Sequence, residues 1–201
     1  MDEKPFFSVI VPAHNAEGHM RKGLDSIRNQ QFWDYELIIV CDDCTDRTEE
    51  IAREYTDKVI VCNYGKTGLA RNEGLNAARG EWILWMDDDD WFLHEYVFHM
   101  LAGAVGKNGE DILAFGFIFR GRGYAMNVPG HLYIAIWNKV WRRSFIGETR
   151  FPDCDRGEDD VGFSRALHDK AKIAYWDMPM YYYNFMREGS ITWKLKRMGI
   201  R

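Results

Sequence analysis

Four short runs, apolar almost without interruption, constrain this chain more than any other feature: Phe7–Pro12 (FSVIVP), Glu36–Cys41 (ELIIVC), Lys58–Cys62 (KVIVC) and Trp82–Asp87 (WILWMD). A strand with one wet face alternates polar and apolar side chains, whereas a strand apolar throughout must be covered on both faces. Segments with helical spacing separate the runs. Met20, Leu24 and Ile27 follow Asn15, a residue type suited to capping. Asp46 and Glu49 form a capping-box-like pair ahead of Ile51, Ala52 and Tyr55, and Ala70, Leu75 and Ala78 make a third stripe closed by Gly80. This alternation predicts right-handed crossovers and an α/β fold: a mostly parallel, Rossmann-like central sheet with helices on both faces.

After Asp90 the rhythm loosens. The pattern predicts a helix around Leu93–Val105, a strand at Ile112–Phe119, a glycine-rich connection (Gly121, Gly123, Gly130), a helix over 158–170, and strands at Lys172–Asp177 and Met180–Met186. Without a repeat or a linker, residues 1–201 read as one domain with an irregular C-terminal half. A net charge of -5 argues against a general nucleic-acid binder. Four cysteines in 201 residues do not make a disulfide scaffold, which points to a reducing, cytoplasmic setting. The N-terminus does not resemble a signal peptide, and ILAFGFIF at 112–119 is far shorter than the roughly 18 residues a membrane span needs. The stretch Trp193–Arg201 mixes apolar and basic residues, so it reads either as a solvated terminus or as a helix contacting the inner membrane surface peripherally.

Open parallel sheets bind ligands beyond the carboxyl ends of their strands. Those positions are Ala13-His14-Asn15, Asp42-Asp43, Asn63–Gly68 and Asp87–Asp90. None carries a glycine-rich dinucleotide fingerprint or a P-loop. Asp87-Asp88-Asp89-Asp90 is the most informative string. Four adjacent carboxylates repel one another unless a cation sits among them. In an extended turn Asp87 and Asp89 point the same way, offering two hard oxygen ligands to one divalent ion. Mg²⁺ or Mn²⁺ held by so few carboxylates keeps positions open for phosphate oxygens. The bland alternative is a solvated acidic loop with one Asp capping a helix.

At these turns the sequence resembles glycosyltransferase family 2, the inverting nucleotide-sugar transferases of the GT-A fold. SVIVPAHNAEGHMRKGLDSIRNQ is similar to that family's opening strand and helix, and ELIIVCDDCTDRT to its second-strand segment. GLARNEGLNAARGEWILWMDDDDW resembles its a-R-N-x-G…D-x-D-D-w signature, RGEDDVGF its G-E-D motif, and REGSIT its late R-x-G-S-i-T. The matches run over residues 7–192 in the family's order. Cys41 stands where the family often has Asp, and Asp43 where it usually has Gly. Cys41 and Cys44 form a C-x-x-C without a second pair at zinc spacing.

The resemblance implies a nucleotide-sugar-binding half (1–90) and an acceptor-binding half carrying the catalytic base (91–201). It places Pro12, Ala13, His14, Asn15, Glu17, Asp42, Lys66, Gly68, Arg71 and Asp88 at the donor. Asp42 would accept the N3–H of uracil, favouring a UDP-sugar, and His14 would pack on the base or serve structurally. Arg71 would assist the donor phosphates or pair with the acidic cluster. Asp87 and Asp89 would hold the metal, Mn²⁺ or Mg²⁺. Asp159 would be the base, with Asp160 as the alternative and Glu158 orienting the acceptor; without the upstream motifs these acids read as a charged first turn of a helix. Trp137 and Lys139 would meet the acceptor, although aromatics so spaced are more often core. Arg187, Ser190 and Thr192 would close over the diphosphate. The implied partners are a UDP-sugar, a glycan or lipid-linked acceptor and a further copy of the chain, with no nucleic acid. A sugar-nucleotide pyrophosphorylase and a silent nucleotide- or glycan-binding domain are the rival readings.

Overall fold

The four apolar runs form the parallel half of one sheet in a computed structural model that describes residues 4–154, 158–190, 193 and 197. Chain order is β1 (Phe7–Ala13), α1 (Met20–Arg28), β2 (Tyr35–Asp42), α2 (Thr48–Arg53), β3 (Val59–Cys62), α3 (Thr67–Ala77) and β4 (Trp82–Trp85). Then come β5 (Trp91–Phe92), α4 (Val97–Ala104), β6 (Ile112–Phe119), β7 (Gly123–Ala125), β8 (Lys139–Arg142), α5 (Arg143–Ile146), α6 (Asp159–His168) and β9 (Ile173–Tyr183). In space the strands run β3-β2-β1-β4-β8-β6-β9-β5, with β7 beside β6. β3, β2, β1 and β4 are mutually parallel, as the unbroken apolar runs predict.

Beyond β4 the sheet becomes mixed. β8 inserts antiparallel between β4 and β6, while β9 runs parallel to β6. Two reversals restore the original direction, so β9 and β4 end on the same side of the molecule. That side carries the carboxyl ends of β1 and β2 as well. The short strand β8 escapes a sequence reading because a four-residue run has no usable period. The two strands expected at 172–186 are a single strand, bulged where Gly116 of β6 pairs with Pro179.

Val9, Ile10 and Val11 of β1, Ile38–Val40 of β2 and Ile83–Trp85 of β4 are fully buried. Each such side chain contributes about 1.5–3 kcal/mol by leaving water. Several boundary signals act differently from expectation. Asn15 is not a cap: α1 begins at Met20 behind His19, and Asn15 takes a left-handed φ of 47°. Its Oδ1 instead accepts the Thr45 N–H (2.8 Å), tying the β1–α1 and β2–α2 turns together. Asp46 Oδ1 does accept the Thr48 N–H (2.9 Å), but Arg47 is the capping position and Glu49 pairs with Arg53 (2.8 Å). Gly80 does not close α3, which ends at Ala77. Its N–H donates to Ser8 Oγ (2.8 Å), and a Cβ there would stand 2.4 Å from the Ser8 nitrogen. The helix expected at 93–105 is shorter, Val97–Ala104.

Gly68, in the first turn of α3, sets how closely that helix approaches α6. A Cβ on it would lie 2.8 Å from the Asp159 Cβ and 3.2 Å from the Phe151 Cβ. Gly68→Ala is therefore expected to push the start of α6 away at a cost of about 1–3 kcal/mol. Chemical denaturation measures that cost, and stability equal to wild type would show that the two helices have room to spare.

Candidate active site

The carboxyl ends of the parallel strands open into a cleft lined by Pro12, Ala13, His14, Asp42, Thr67, Ala70, Asp87, Asp88, Asp89, Arg187 and Ser190. Seven of the residues expected at the donor or metal, and two expected to close over the diphosphate, thus meet in one place: Pro12, Ala13, His14, Asp42, Asp87, Asp88 and Asp89, and Arg187 with Ser190. Thr192 and the basic stretch beyond it lie outside the described residues, apart from Trp193 and Arg197.

Asp42 ends β2 with its side chain 4% exposed. Oδ1 accepts the Tyr64 N–H (2.6 Å) and Gly65 N–H (3.1 Å), and Oδ2 accepts the Lys66 N–H (2.8 Å). The carboxylate therefore shapes the β3–α3 turn. With one N–H on Oδ2, a lone pair of that oxygen is left for a ligand in the cleft. His14 Nδ1 lies 2.8 Å from the Asp42 carbonyl, which can only accept, so Nδ1 carries the proton; Nε2 faces the Asn15 side-chain amide (3.3 Å).

The tetra-aspartate turn separates into four environments. Asp88 Oδ2 accepts the His14 N–H (3.3 Å), and its Oδ1 meets His19 Nε2 (3.1 Å). Asp89 Oδ2 accepts from Arg187 Nε (2.7 Å), and Asp87 Oδ1 from Arg71 (2.7 Å). Asp90 is fully buried: Oδ2 accepts the Tyr181 hydroxyl (2.8 Å) and Oδ1 the Asn184 N–H (2.8 Å). The Tyr181 oxygen in turn accepts the Asp87 N–H (3.1 Å), so one phenol locks the end of β9 to the acidic turn and delivers the 184–190 loop to the cleft. Burial raises the carboxyl pKa of Asp87, against the pull of Arg71, and that of Asp89, against the pull of Arg187, while burial with the Asp87 and Asp89 charges raises that of Asp90 well above the usual range. The family resemblance assigns no role to Asp90, whose only sign in the sequence is its place as the fourth acid directly before Trp91; Tyr181, which with Tyr182 and Tyr183 reads as a candidate sugar-facing aromatic, is instead fully buried against it.

Arg71 is the hub beneath this floor. Its guanidinium, 4% exposed, donates to Asp87 (2.7 Å), Asp160 (2.6 Å) and Asp159. Arg71 thus pairs with the acidic cluster rather than presenting itself to donor phosphates; it is not among the residues lining the cleft. It connects the expected metal ligand Asp87 to the expected base Asp159, which lies one guanidinium beyond the lining. Asp159 opens α6 at 4% exposure, whereas burial and the Asp87 and Asp159 charges push Asp160 up to about 6 against the pull of Arg71. Glu158 is exposed at the start of α6.

Several residues expected at the donor or acceptor stand outside the cleft lining. Trp137 is 5% exposed and stacked on Tyr181 (5.0 Å, 12°), which makes it core and not an acceptor platform. Lys139 is fully buried, its ammonium donating to the Tyr133 carbonyl (2.6 Å), the Asn138 side chain (2.8 Å) and the Ala135 carbonyl. Burial pulls its pKa down to about 7 while Asp160 supports the charge. Lys139 therefore fastens the 133–138 loop and cannot also reach an acceptor. Glu17 accepts the Arg47 N–H (3.0 Å), away from the cleft. Lys66 Nζ reaches Asp153 (2.5 Å). Gly68 packs on Asp159 and Asn15 on Thr45, both outside the cleft lining.

Asp87 and Asp89 suit a hard divalent cation. Each has one oxygen engaged by an arginine, and their mutual repulsion is relieved by added positive charge. Among the described residues no group of three or more His, Cys, Asp or Glu side chains could hold a metal ion.

The family model described as Glycosyl transferase family 2 matches residues 8–172. This chain belongs to that family. EpsH of Bacillus subtilis is 33% identical over 90% of the chain and 61% of its own length. TarS of Staphylococcus aureus, a poly(ribitol-phosphate) beta-N-acetylglucosaminyltransferase, is 27% identical over 91% of the chain and 36% of its own length. The chain therefore spans about three-fifths of EpsH and a third of TarS. The crystal structure of TarS 1-349 with UDP-GlcNAc superimposes with a TM-score of 0.81 at 25% identity, covering 92% of this chain and 60% of that one. The mannosyltransferase PcManGT of Pyrobaculum calidifontis, solved with GDP-Man and Mn²⁺, has the same fold: TM-score 0.73 at 16% identity, covering 98% and 61%. The fold is GT-A. Among the described residues no helix is long and apolar enough to cross a membrane.

Proposed function

We propose that this chain is the catalytic domain of a metal-dependent, inverting glycosyltransferase that moves a sugar from a UDP-sugar to a hydroxyl of a glycan or lipid-linked acceptor. The observation that carries the reading is the single cleft in which Asp42, the acidic turn and Arg187 converge. The donor half is 1–90 and the acceptor half 91–201. Asp42, with an acceptor position left on Oδ2, takes the uracil N3–H, and His14 flanks the base. Arg187 and Ser190 face the diphosphate from the loop that Asp90 and Tyr181 hold in place.

The acceptor hydroxyl attacks the anomeric carbon from the face opposite the diphosphate, and Asp159 takes its proton as the new bond forms. The C–O bond to the diphosphate breaks in the same step, inverting the anomeric centre. A divalent cation held by Asp87 and Asp89 would supply charge neutralisation for the departing diphosphate. Arg71 keeps Asp159 and Asp87 in fixed relation. TarS, which the chain resembles along most of its length, has been solved with UDP-GlcNAc, and this supports a uridine donor.

Thermal-shift measurements with UDP, GDP, CDP and dTDP, each with and without Mn²⁺, test the reading. UDP with Mn²⁺ at 100 times its dissociation constant should stabilise the protein by about 2.7 kcal/mol. Asp89→Ala is expected to weaken Mn²⁺-dependent UDP binding by at least the roughly 10- to 100-fold that loss of even an outer-shell partner costs a metal site. Affinity unchanged by that substitution would remove Asp89 from the metal. A protein that binds UDP and Mn²⁺ but consumes no UDP-sugar with any acceptor would be the silent binding domain.

A further inference from the structure

The proposed reaction uses no residue of the β6–β7 hairpin, yet that hairpin stands beside the cleft. β6 runs parallel to β9, so both end on the side that carries the carboxyl ends of β1, β2 and β4. Phe119 pairs with Gly123 across the hairpin, which leaves Arg120-Gly121-Arg122 as its tip. Gly121 and Gly123 take left-handed φ values of 71° and 83°, the backbone that so tight a tip requires. A Cβ on either glycine would meet nothing within 4 Å, so the tip projects into open space. It is tied to the loop that brings Arg187 and Ser190 to the cleft. The Arg120 N–H donates to the Tyr183 carbonyl (3.0 Å) and Arg120 Nη1 to Asn184 Oδ1 (3.0 Å), while the Asn184 N–H is the one that Asp90 accepts.

Both tip arginines are exposed, and among the described residues neither has a carboxylate partner. The Arg122 guanidinium lies over the rings of Phe185 (4.7 Å) and Phe119 (5.1 Å), which are themselves 4.7 Å apart. Among the described residues its side-chain N–H groups make no hydrogen bond to the protein. Arg21, Arg53, Arg71 and Arg187, by contrast, each meet a carboxylate. In a chain of net charge -5, two uncompensated guanidinium groups separated by one residue make a local site for an anion. A carboxylate is satisfied by one guanidinium fork, whereas a phosphate ester has the charge and the oxygens to occupy two. Beside them, the half-buried rings of Phe119 and Phe185 offer apolar cover to the carbon skeleton that the phosphate carries.

We propose that Arg120 and Arg122, over Phe119 and Phe185, form an acceptor subsite that binds a phosphate ester, so that the acceptor of this transferase is a phosphorylated molecule. The inference deepens the proposed transfer reaction and rests on it. The subsite lies in the acceptor half, and through Asn184 it shares the loop whose Arg187 faces the donor diphosphate. The phosphate is a recognition group and takes no part in bond making. Two sources carry this chemistry: a phosphate within a polyol- or sugar-phosphate chain, and a phosphate that joins a sugar to a lipid.

The test is a calorimetric titration of the intact chain, first saturated with UDP and Mn²⁺ so that the donor cleft is filled. The probes are glycerol 3-phosphate, farnesyl phosphate and, as the uncharged control, glycerol. At least one phosphate ester should bind, glycerol should not, and added salt should weaken the binding. Arg122→Gln and Arg120→Gln should each weaken it by at least about tenfold, the loss that one charge-assisted hydrogen bond typically brings. UDP affinity should stay within a few-fold of wild type in both variants. Arg53→Gln, which removes the same charge from α2, should change neither affinity. Binding of glycerol 3-phosphate alone assigns the polyol- or sugar-phosphate source and binding of farnesyl phosphate alone the lipid source; either result upholds the subsite, as does binding of both. A chain that binds neither ester, or whose ester binding survives both substitutions or falls equally in Arg53→Gln, would overturn the proposal. If UDP with Mn²⁺ does not bind at all, the donor reading fails, while ester titrations of the unliganded chain and of Arg122→Gln still decide whether the tip holds a phosphate.

Discussion

Asp159→Asn is expected to lower sugar transfer by roughly 10²–10⁴-fold while UDP affinity with Mn²⁺ stays within a few-fold of wild type. The amide keeps the volume of the side chain and can still sit at the head of α6, but it cannot take a proton. Asp159 lies outside the cleft lining and reaches it through Arg71, so the nucleotide half should be little disturbed. Steady-state transfer assays beside calorimetric UDP titrations separate the two effects. A variant with near-normal turnover would exclude Asp159 as the base. Asp160, pushed up to about 6 on the same guanidinium, would then be the group to replace.

Arg71→Met should have the largest effect on folding. The guanidinium is 4% exposed and paired with Asp87, Asp159 and Asp160. Removing one partner from a buried ion pair typically costs 3–5 kcal/mol, because charge is left uncompensated. Against a usual total of about 5–15 kcal/mol, this would leave the variant marginal or unfolded at neutral pH. The deficit should shrink on acidification, since protonating the stranded carboxylates removes their repulsion. Denaturation curves at neutral and mildly acidic pH measure both parts. A variant as stable as wild type at neutral pH would mean that the three acids are solvated well enough to need no partner.

The parallel half of the fold was legible because doubly covered strands must be apolar throughout, and Val9–Val11, Ile38–Val40 and Ile83–Trp85 are. The mixed half was less so. β8 is four residues long, and the β9 bulge depends on Gly116 opposite Pro179, a tertiary pairing with no local signature. The convergence of His14, Asp42 and Asp87–Asp89 in one cleft was legible, because each stands directly after a strand of the parallel half. Where partners lay far away in sequence, the residues alone left more than one placement open. Arg71 meets acids 16, 88 and 89 residues distant, and the ammonium of Lys139 is consumed by its own preceding loop. Glu17 and Gly68 likewise lie outside the cleft lining, and their neighbours, Arg47 and Asp159, come from other turns.

A crystal of the protein grown with uridine diphosphate and manganese tests the central claim most directly. It should show anomalous density for one Mn²⁺ bound by Asp87 and Asp89 and by diphosphate oxygens, with uracil beside Asp42. Nucleotide bound elsewhere, or a diphosphate in the cleft with no cation at those two aspartates, would contradict the account.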